Sequence, residues 1–398
     1  MARLAWLILI AAACAQTPRE EGYVPGGADL PASAHETYRQ ALLHEWQGER
    51  AEALREQEKL ARRYPLRVAF HLRWLRLARE LKGPEKAAAS YEPPPPGVDS
   101  ERAGVYATLA RLPPEDVAGQ RDVLAFAVQR EPNEPWWRLA LADVEISSHD
   151  AVSARAERER DLGRVETSEE SVREAQEDLD RARKEAEEAL RLDPGIAEAE
   201  TMLGYICSRR ADLGRGIEER DKWREQAGDH YAKALALDPS DLPALLNAAE
   251  NFIYFDRFED AARLLQQAVE LAPKAPLAWV NLGYAYNAAG RLQQAKACYQ
   301  EALRLRPSDA RLRTAYADTL RSLEESDEAV RELERALKEV GEDSDLRASI
   351  VFKLAAIHEY EERYRDAIQA YEKYIQLGGS ESAKARSRIR HIYRHAFE

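Results

Sequence analysis

The chain has 398 residues, with 58 Lys and Arg against 71 Asp and Glu, a formal charge of −13. Charged residues make up 32% and apolar ones 45%, which excludes a disordered or a polytopic membrane chain. The acidic balance argues against nucleic-acid binding, which needs a basic face to displace counterions. Three cysteines are too few for a disulfide scaffold.

Residues 1–13, MARLAWLILIAAA, place Arg3 before ten apolar residues. That run is shorter than the ~18–20 residues needed to cross a bilayer and has the layout of an export signal. Three alanines, 11–13, lead into Cys14. The segment resembles the lipobox of bacterial lipoproteins, with Ala11 where Leu is usual. The resemblance implies acylation of Cys14 and a stable membrane anchor, since two or more chains hold where one does not. Ala15, rather than Asp, implies sorting to the outer membrane, facing the periplasm. An ordinary secretory signal is the alternative. Residues 14–32 are rich in Pro, Gly and charge and are expected to form a flexible tether.

Small and apolar residues then recur with a period near 34. Residues 33–97 form a degenerate pair of units, with Ala41, Gly48, Ala53 and Pro65 at matching places. Four prolines at 93–96 suggest a stiff extended spacer. A third degenerate unit covers 101–134, with Ala107, Leu124, Ala127 and Pro132. Residues 133–241 hold two elongated hairpins. In the first, Val172, Ala175, Leu179, Ala182, Ala186 and Ala189 follow 3-4-3-4-3 spacing, the coiled-coil period. Thr167 with Glu170 suggests a capping box for that helix. Turns are expected near 163–167 and 214–216, and a disordered charged loop at 155–170 is the alternative.

Residues 242–381 contain four regular units. The clearest is 278–307, AWVNLGYAYNAAGRLQQAKACYQEALRLRP. Trp279, Leu282, Gly283 and Tyr286 mark its first helix, Ala295, Tyr299 and Ala302 its second, and Pro307 its end. Gly283 is expected to face Ala295 where the helices cross. This segment resembles the tetratricopeptide repeat, and the 34-residue steps on either side extend the resemblance. It implies an all-α solenoid of helix hairpins. Residues 382–398 are expected to form a polar capping helix with Lys384, Arg386, Arg388, Arg390 and Arg394, which offers charge to anionic lipid or an acidic partner.

In that family the first helices line a concave groove that takes protein or peptide ligands. The resemblance places Asn247, Glu250, Tyr254, Asn281, Tyr284, Asn287, Arg311, Asp318 and Arg321 in it, flanked by Thr201, Tyr205, Phe352, Lys353 and Tyr360. Some members grip a C-terminal carboxylate through Lys, Asn and Arg. Asn281 and Arg311 fit two of those places, but Leu246 and Glu250 stand where Lys and Asn belong, so no clamp is expected. No phosphate loop, dinucleotide fingerprint, nucleophile elbow or HExxH occurs, so no enzyme, cofactor or metal is expected. His391 and His395 share a helix face without a third ligand. Cys207 and Cys298 are expected to be small core residues. The function expected is a lipid-anchored, exported scaffold for protein–protein interaction in bacterial envelope assembly or secretion. The alternative is a structural oligomer or spacer in which the long hairpins self-associate.

Overall fold

The computed structural model describes residues 31–396, apart from 162–163, 215 and 342. The expected signal, Cys14 and nearly all of the tether lie outside the described residues. Among the described residues every regular element is an α-helix.

The helices come in antiparallel pairs. The first three pairs are α1 (Ala32–Trp46) with α2 (Arg50–Arg63), α3 (Val68–Lys82) with the short α4 (Pro84–Ala89), and α5 (Ser100–Arg111) with α6 (Val117–Arg130). Then come α7 (Pro135–Asp161) with α8 (Val165–Leu192) and α9 (Ala197–Leu213) with α10 (Ile217–Leu237). The regular part runs through α11 (Leu242–Tyr254), α12 (Phe258–Leu271), α13 (Pro276–Ala288), α14 (Leu292–Leu305), α15 (Ala310–Ser322) and α16 (Ser326–Glu339). It closes with α17 (Ser344–Tyr360), α18 (Tyr364–Gln376) and α19 (Ser382–Ala396). The fold class is the expected α-solenoid. The chain divides into two compact units. The first comprises the described part of Met1–Phe255 with Glu270–Ala272, the second Asp256–Val269 with Pro273–Glu398.

Local chemistry sets these elements. Asp241, Asp309 and Asp343 each cap a first helix, their carboxylates accepting from the amides of Ala244, Leu312 and Leu346 at 2.9–3.0 Å. Within hairpins, Gly290, Glu324 and Glu362 take φ of 75°, 62° and 55°. The amides of Arg291, Glu325 and Arg363 then reach back to the carbonyls of Tyr286, Leu320 and His358 at 2.8–2.9 Å, satisfying groups the helix end would leave bare.

In the first unit α7 and α8 run for 27 and 28 residues, twice the 13 of α13. Both arms are therefore lengthened, and the charged stretch is helical at 155–161 and at 165–170. Ala175, Leu179, Ala182, Ala186 and Ala189 are fully buried, so the 3-4 stripe is the seam. Polar contacts fasten its far end: Ser168 Oγ donates to the Ala156 carbonyl at 3.0 Å, and His149 Nδ1 lies 3.0 Å from the Ala175 carbonyl. The capping box is not found. The helix starts at Val165, three residues early, and Thr167 Oγ1 donates to the Arg164 carbonyl at 3.0 Å from inside the first turn.

Residues 93–96 are not an extended spacer either. Tyr91 and Val98 on either side are buried, and the Val98 amide bonds the Pro95 carbonyl at 3.0 Å, closing a tight turn over residues 95–98. Tyr91 joins His71, Tyr106 and Trp137 in a run of rings whose centroids lie 4.9–5.8 Å apart, welding three hairpins together.

In the second unit Ala295, Ala302, Ala329, Ala336 and Ala367 are fully buried where helices cross. A Cβ at Gly283 would stand 2.9 Å from Tyr299 Cε1, so the glycine makes room for that ring. Gly204 and Tyr231 repeat this arrangement in the first unit.

Candidate functional site

The expected groove residues fall in both units. Asn247, Glu250 and Tyr254 lie on α11 in the first unit; Asn281, Tyr284, Asn287, Arg311, Asp318 and Arg321 lie in the second.

On α11, Asn247 is half-buried and Glu250 is exposed. Arg224 reaches Glu250 at 3.4 Å, and its guanidinium lies 5.0 Å from the Tyr254 ring centroid. The Tyr254 hydroxyl donates to Asp221 Oδ1 at 3.0 Å. Tyr205 is half-buried beneath the Arg209 guanidinium, 4.7 Å away. These aromatic faces are covered by the chain's own cations.

Much of the remaining inner wall of this unit is occupied by its own first helices. The Tyr38 hydroxyl of α1 donates to Glu198 Oε1 of α9 at 2.8 Å, and Arg73 of α3 stands 3.4 Å from the same carboxylate and 5.2 Å from the Tyr38 ring. Thr201 Oγ1 donates to Asp241 at 2.7 Å. Only about 70 Å³ remains between Tyr38, Trp46, Arg73, Glu198, Asp241 and Pro243, too little for a peptide segment. Burial dominates the electrostatics: it raises the carboxyls of Asp143 and Glu198 against the pull of Arg73, and pushes Asp241 up to about 7.

The second unit's first helices are more open. Tyr284 is 53% exposed and Tyr360 69%. Lys353 of α17 donates to both oxygens of Asp318 at 2.8 and 2.7 Å, tying α15 to α17. Asn287 Nδ2 donates to Thr319 Oγ1 at 3.0 Å, tying α13 to α15. Asn281 is half-buried, and Arg321 is exposed without an ion pair among the described residues. Arg311 is drawn away, to Asp343 at the cap of α17, at 2.7 Å. Asn287, Asp318 and Lys353 thus act as struts of the wall, while Tyr284, Tyr360 and Arg321 present rings and charge to solvent.

The 34-residue period fixes which helix each of these residues falls on. It missed the self-occupied wall, since Tyr38 and Glu198 stand 160 positions apart and share no motif. Thr319, the partner of Asn287, and Asp343, the partner of Arg311, sit one repeat further on, where the same period points to them.

His391 and His395 have ring centroids 4.3 Å apart. Among the described residues no three His, Cys, Asp or Glu are grouped to hold a metal ion. Cys207 and Cys298 are buried and unbridged, and burial pushes their thiols up to about 11 and about 12. Neither offers a thiolate near neutral pH.

Residues 276–309 and 314–382 match family models of the tetratricopeptide repeat. This part of the chain, the core of the second unit, is built of tetratricopeptide repeats. The Hsp70–Hsp90 organizing protein of Triticum aestivum is 31% identical over 94 residues, 24% of this chain and 16% of that protein. Small glutamine-rich tetratricopeptide repeat-containing protein 2 of Mycosarcoma maydis is 29% identical over 136 residues, 34% of this chain and 36% of that one. The chain therefore spans well under half the length of either relative. The solved structure of PilF from Pseudomonas aeruginosa is similar at 20% identity and a TM-score of 0.42, over 61% of this chain and 99% of that one.

Proposed function

We propose that this chain is a lipid-anchored, exported scaffold that binds a protein segment along the first helices of its second unit, α13, α15 and α17, in assembly or secretion at a bacterial cell envelope, at the outer membrane facing the periplasm. Tetratricopeptide repeats mediate protein–protein interaction, and one observation carries the choice of wall. Tyr284 and Tyr360 are exposed on helices braced by the Asn287–Thr319 and Lys353–Asp318 contacts. Rigid aromatic surface on a fixed support is what a bound segment exploits at low entropic cost.

A grip on a C-terminal carboxylate is not part of this reading. Leu246 is buried, Glu250 adds a like charge, and Arg311 is committed to Asp343. Export and anchoring rest on the apolar run before Cys14.

Co-purification from native envelopes tests the binding wall. The intact chain should retain specific partners that Tyr284→Ala, Asn281→Ala and Arg321→Ala together release. Unchanged partners in the triple variant refute the wall. Anchoring is tested separately: Cys14→Ser should abolish incorporation of labelled fatty acid, and persisting label refutes it.

A further inference from the structure

The terminal helix α19 reads SAKARSRIRHIYRHA, with five Lys or Arg and no acid, in a chain whose net charge is −13. Its inward face is fixed. Ala385 and Ile392 are buried, with Ile389 and Ala396 half-buried beside them, against the core formed by Tyr371 and Tyr374. Two of the five cations are used internally. Lys384 pairs with Glu381 at 2.8 Å and lies 5.4 Å from the Phe352 ring centroid, and Arg388 donates to Glu359 at 3.0 Å.

Arg386, Arg390 and Arg394 are different. All three are exposed, and among the described residues no ion pair joins them to a carboxylate. They recur every four residues, so about 6 Å of helix rise separates each from the next and the row is about 12 Å long. His391, His395 and Tyr393 are exposed beside them.

We propose that the Arg386, Arg390 and Arg394 face of α19 docks on an anionic phospholipid surface. The face offers concentrated positive charge on a convex helix with a single large ring, Tyr393, exposed. A protein interface draws its affinity from buried anchors seated in pockets, which a lone helix face does not supply. A headgroup layer requires only charge within a Debye length. The row is also shorter than a duplex-binding stripe, which neutralises many phosphates in succession. The proposal is independent of the N-terminal anchor, because every protein compared in its test, the arginine-intact chain included, carries Cys14→Ser and so has no acyl chain to hold it on a vesicle.

The test is flotation of the full chain with phosphatidylcholine vesicles and with vesicles in which about a third of the lipid is phosphatidylglycerol. The Cys14→Ser chain with its three arginines intact should bind the anionic vesicles, lose that binding as salt rises, and show no such salt-sensitive binding to neutral ones. Arg386→Gln, Arg390→Gln and Arg394→Gln together should weaken anionic binding roughly a hundredfold. Lysine at the same three positions should retain it, and matched thermal melts show that both variants are folded. Equal binding by the glutamine variant overturns the proposal. So does tighter binding of the arginine-intact chain to polyglutamate or to duplex DNA than to the anionic vesicles.

Discussion

The ring of Tyr299 occupies the space where Gly283 would carry a side chain: a Cβ there would stand 2.9 Å from Cε1 and 3.1 Å from Cδ1. Tyr299 is itself 2% exposed and packed between helices, so it cannot swing away. Gly283→Ala should therefore destabilise the second unit by about 1–3 kcal/mol through overpacking. Gly104, in the middle of α5, is the control. Nothing lies within 4 Å of a Cβ there, and Gly104→Ala should stabilise by roughly 0.5–1 kcal/mol on helix propensity. Thermal melts of the two variants should shift in opposite directions. A common direction would show that the spacing at Gly283 is relieved elsewhere.

Glu324 stands at the turn position that Gly290 fills one repeat earlier, with φ of 62° against 75°. The left-handed region costs a residue with a Cβ about 1 kcal/mol, which glycine avoids. Glu324→Gly should raise the stability of the second unit by about that much, less the larger entropy the glycine loses on folding. Gly290→Ala should do the reverse. Urea midpoints of both variants check this, and a loss of stability in Glu324→Gly would contradict it.

These two turns also show what sequence could and could not reveal. The period of 34 is written in small residues and prolines because each hairpin must nest against the next, so helix order and the long helices α7 and α8 were legible. How tightly a small residue is filled was not: the Tyr299 ring lies 2.9 Å from where a Gly283 Cβ would stand, because helix rotation within a hairpin is set by side-chain volumes on both sides. The prolines at 93–96 misled for a related reason. Their composition favours an extended spacer, but Tyr91 and Val98 are buried on either side and the chain turns at 95–98. Thr167 and Glu170 matched a capping motif locally, while the contact between Ser168 and the Ala156 carbonyl accompanies a helix that starts earlier.

Two buried groups in the first unit should tilt its stability in opposite senses with pH. Burial brings His71 down to about 4, against an unfolded value near 6.5. The unfolded chain then binds more protons between those values, so stability is complete above about 6.5 and declines as pH falls toward 4. Asp241 is raised to about 7, against 3.8 when unfolded. Here the folded chain holds the extra proton, so stability is complete below about 3.8 and declines as pH rises through 7. His71→Gln should flatten the acid side of a urea-midpoint profile and Asp241→Asn the neutral side. A profile unchanged in shape by either substitution would remove that group from the account.

Arg73 is the cation on which the self-occupied wall depends. It stands 3.4 Å from Glu198 and beside the Tyr38 ring, and its charge also lowers the cost of ionising Asp143. Removing one partner from this half-buried ionic cluster strands the others, which should cost about 1–3 kcal/mol. Arg73→Met keeps much of the side-chain volume while deleting the charge, so its effect should be electrostatic. The amides of α1 and α9 should then exchange faster with solvent, because the Tyr38–Glu198 contact loses its counter-charge, while amides of the second unit keep their protection. Glu198→Gln in the Arg73→Met background should recover part of the loss by removing the stranded carboxylate. If hydrogen exchange in α1 is unaltered by Arg73→Met, apolar packing alone holds that helix against the wall and the ionic cluster is incidental to it.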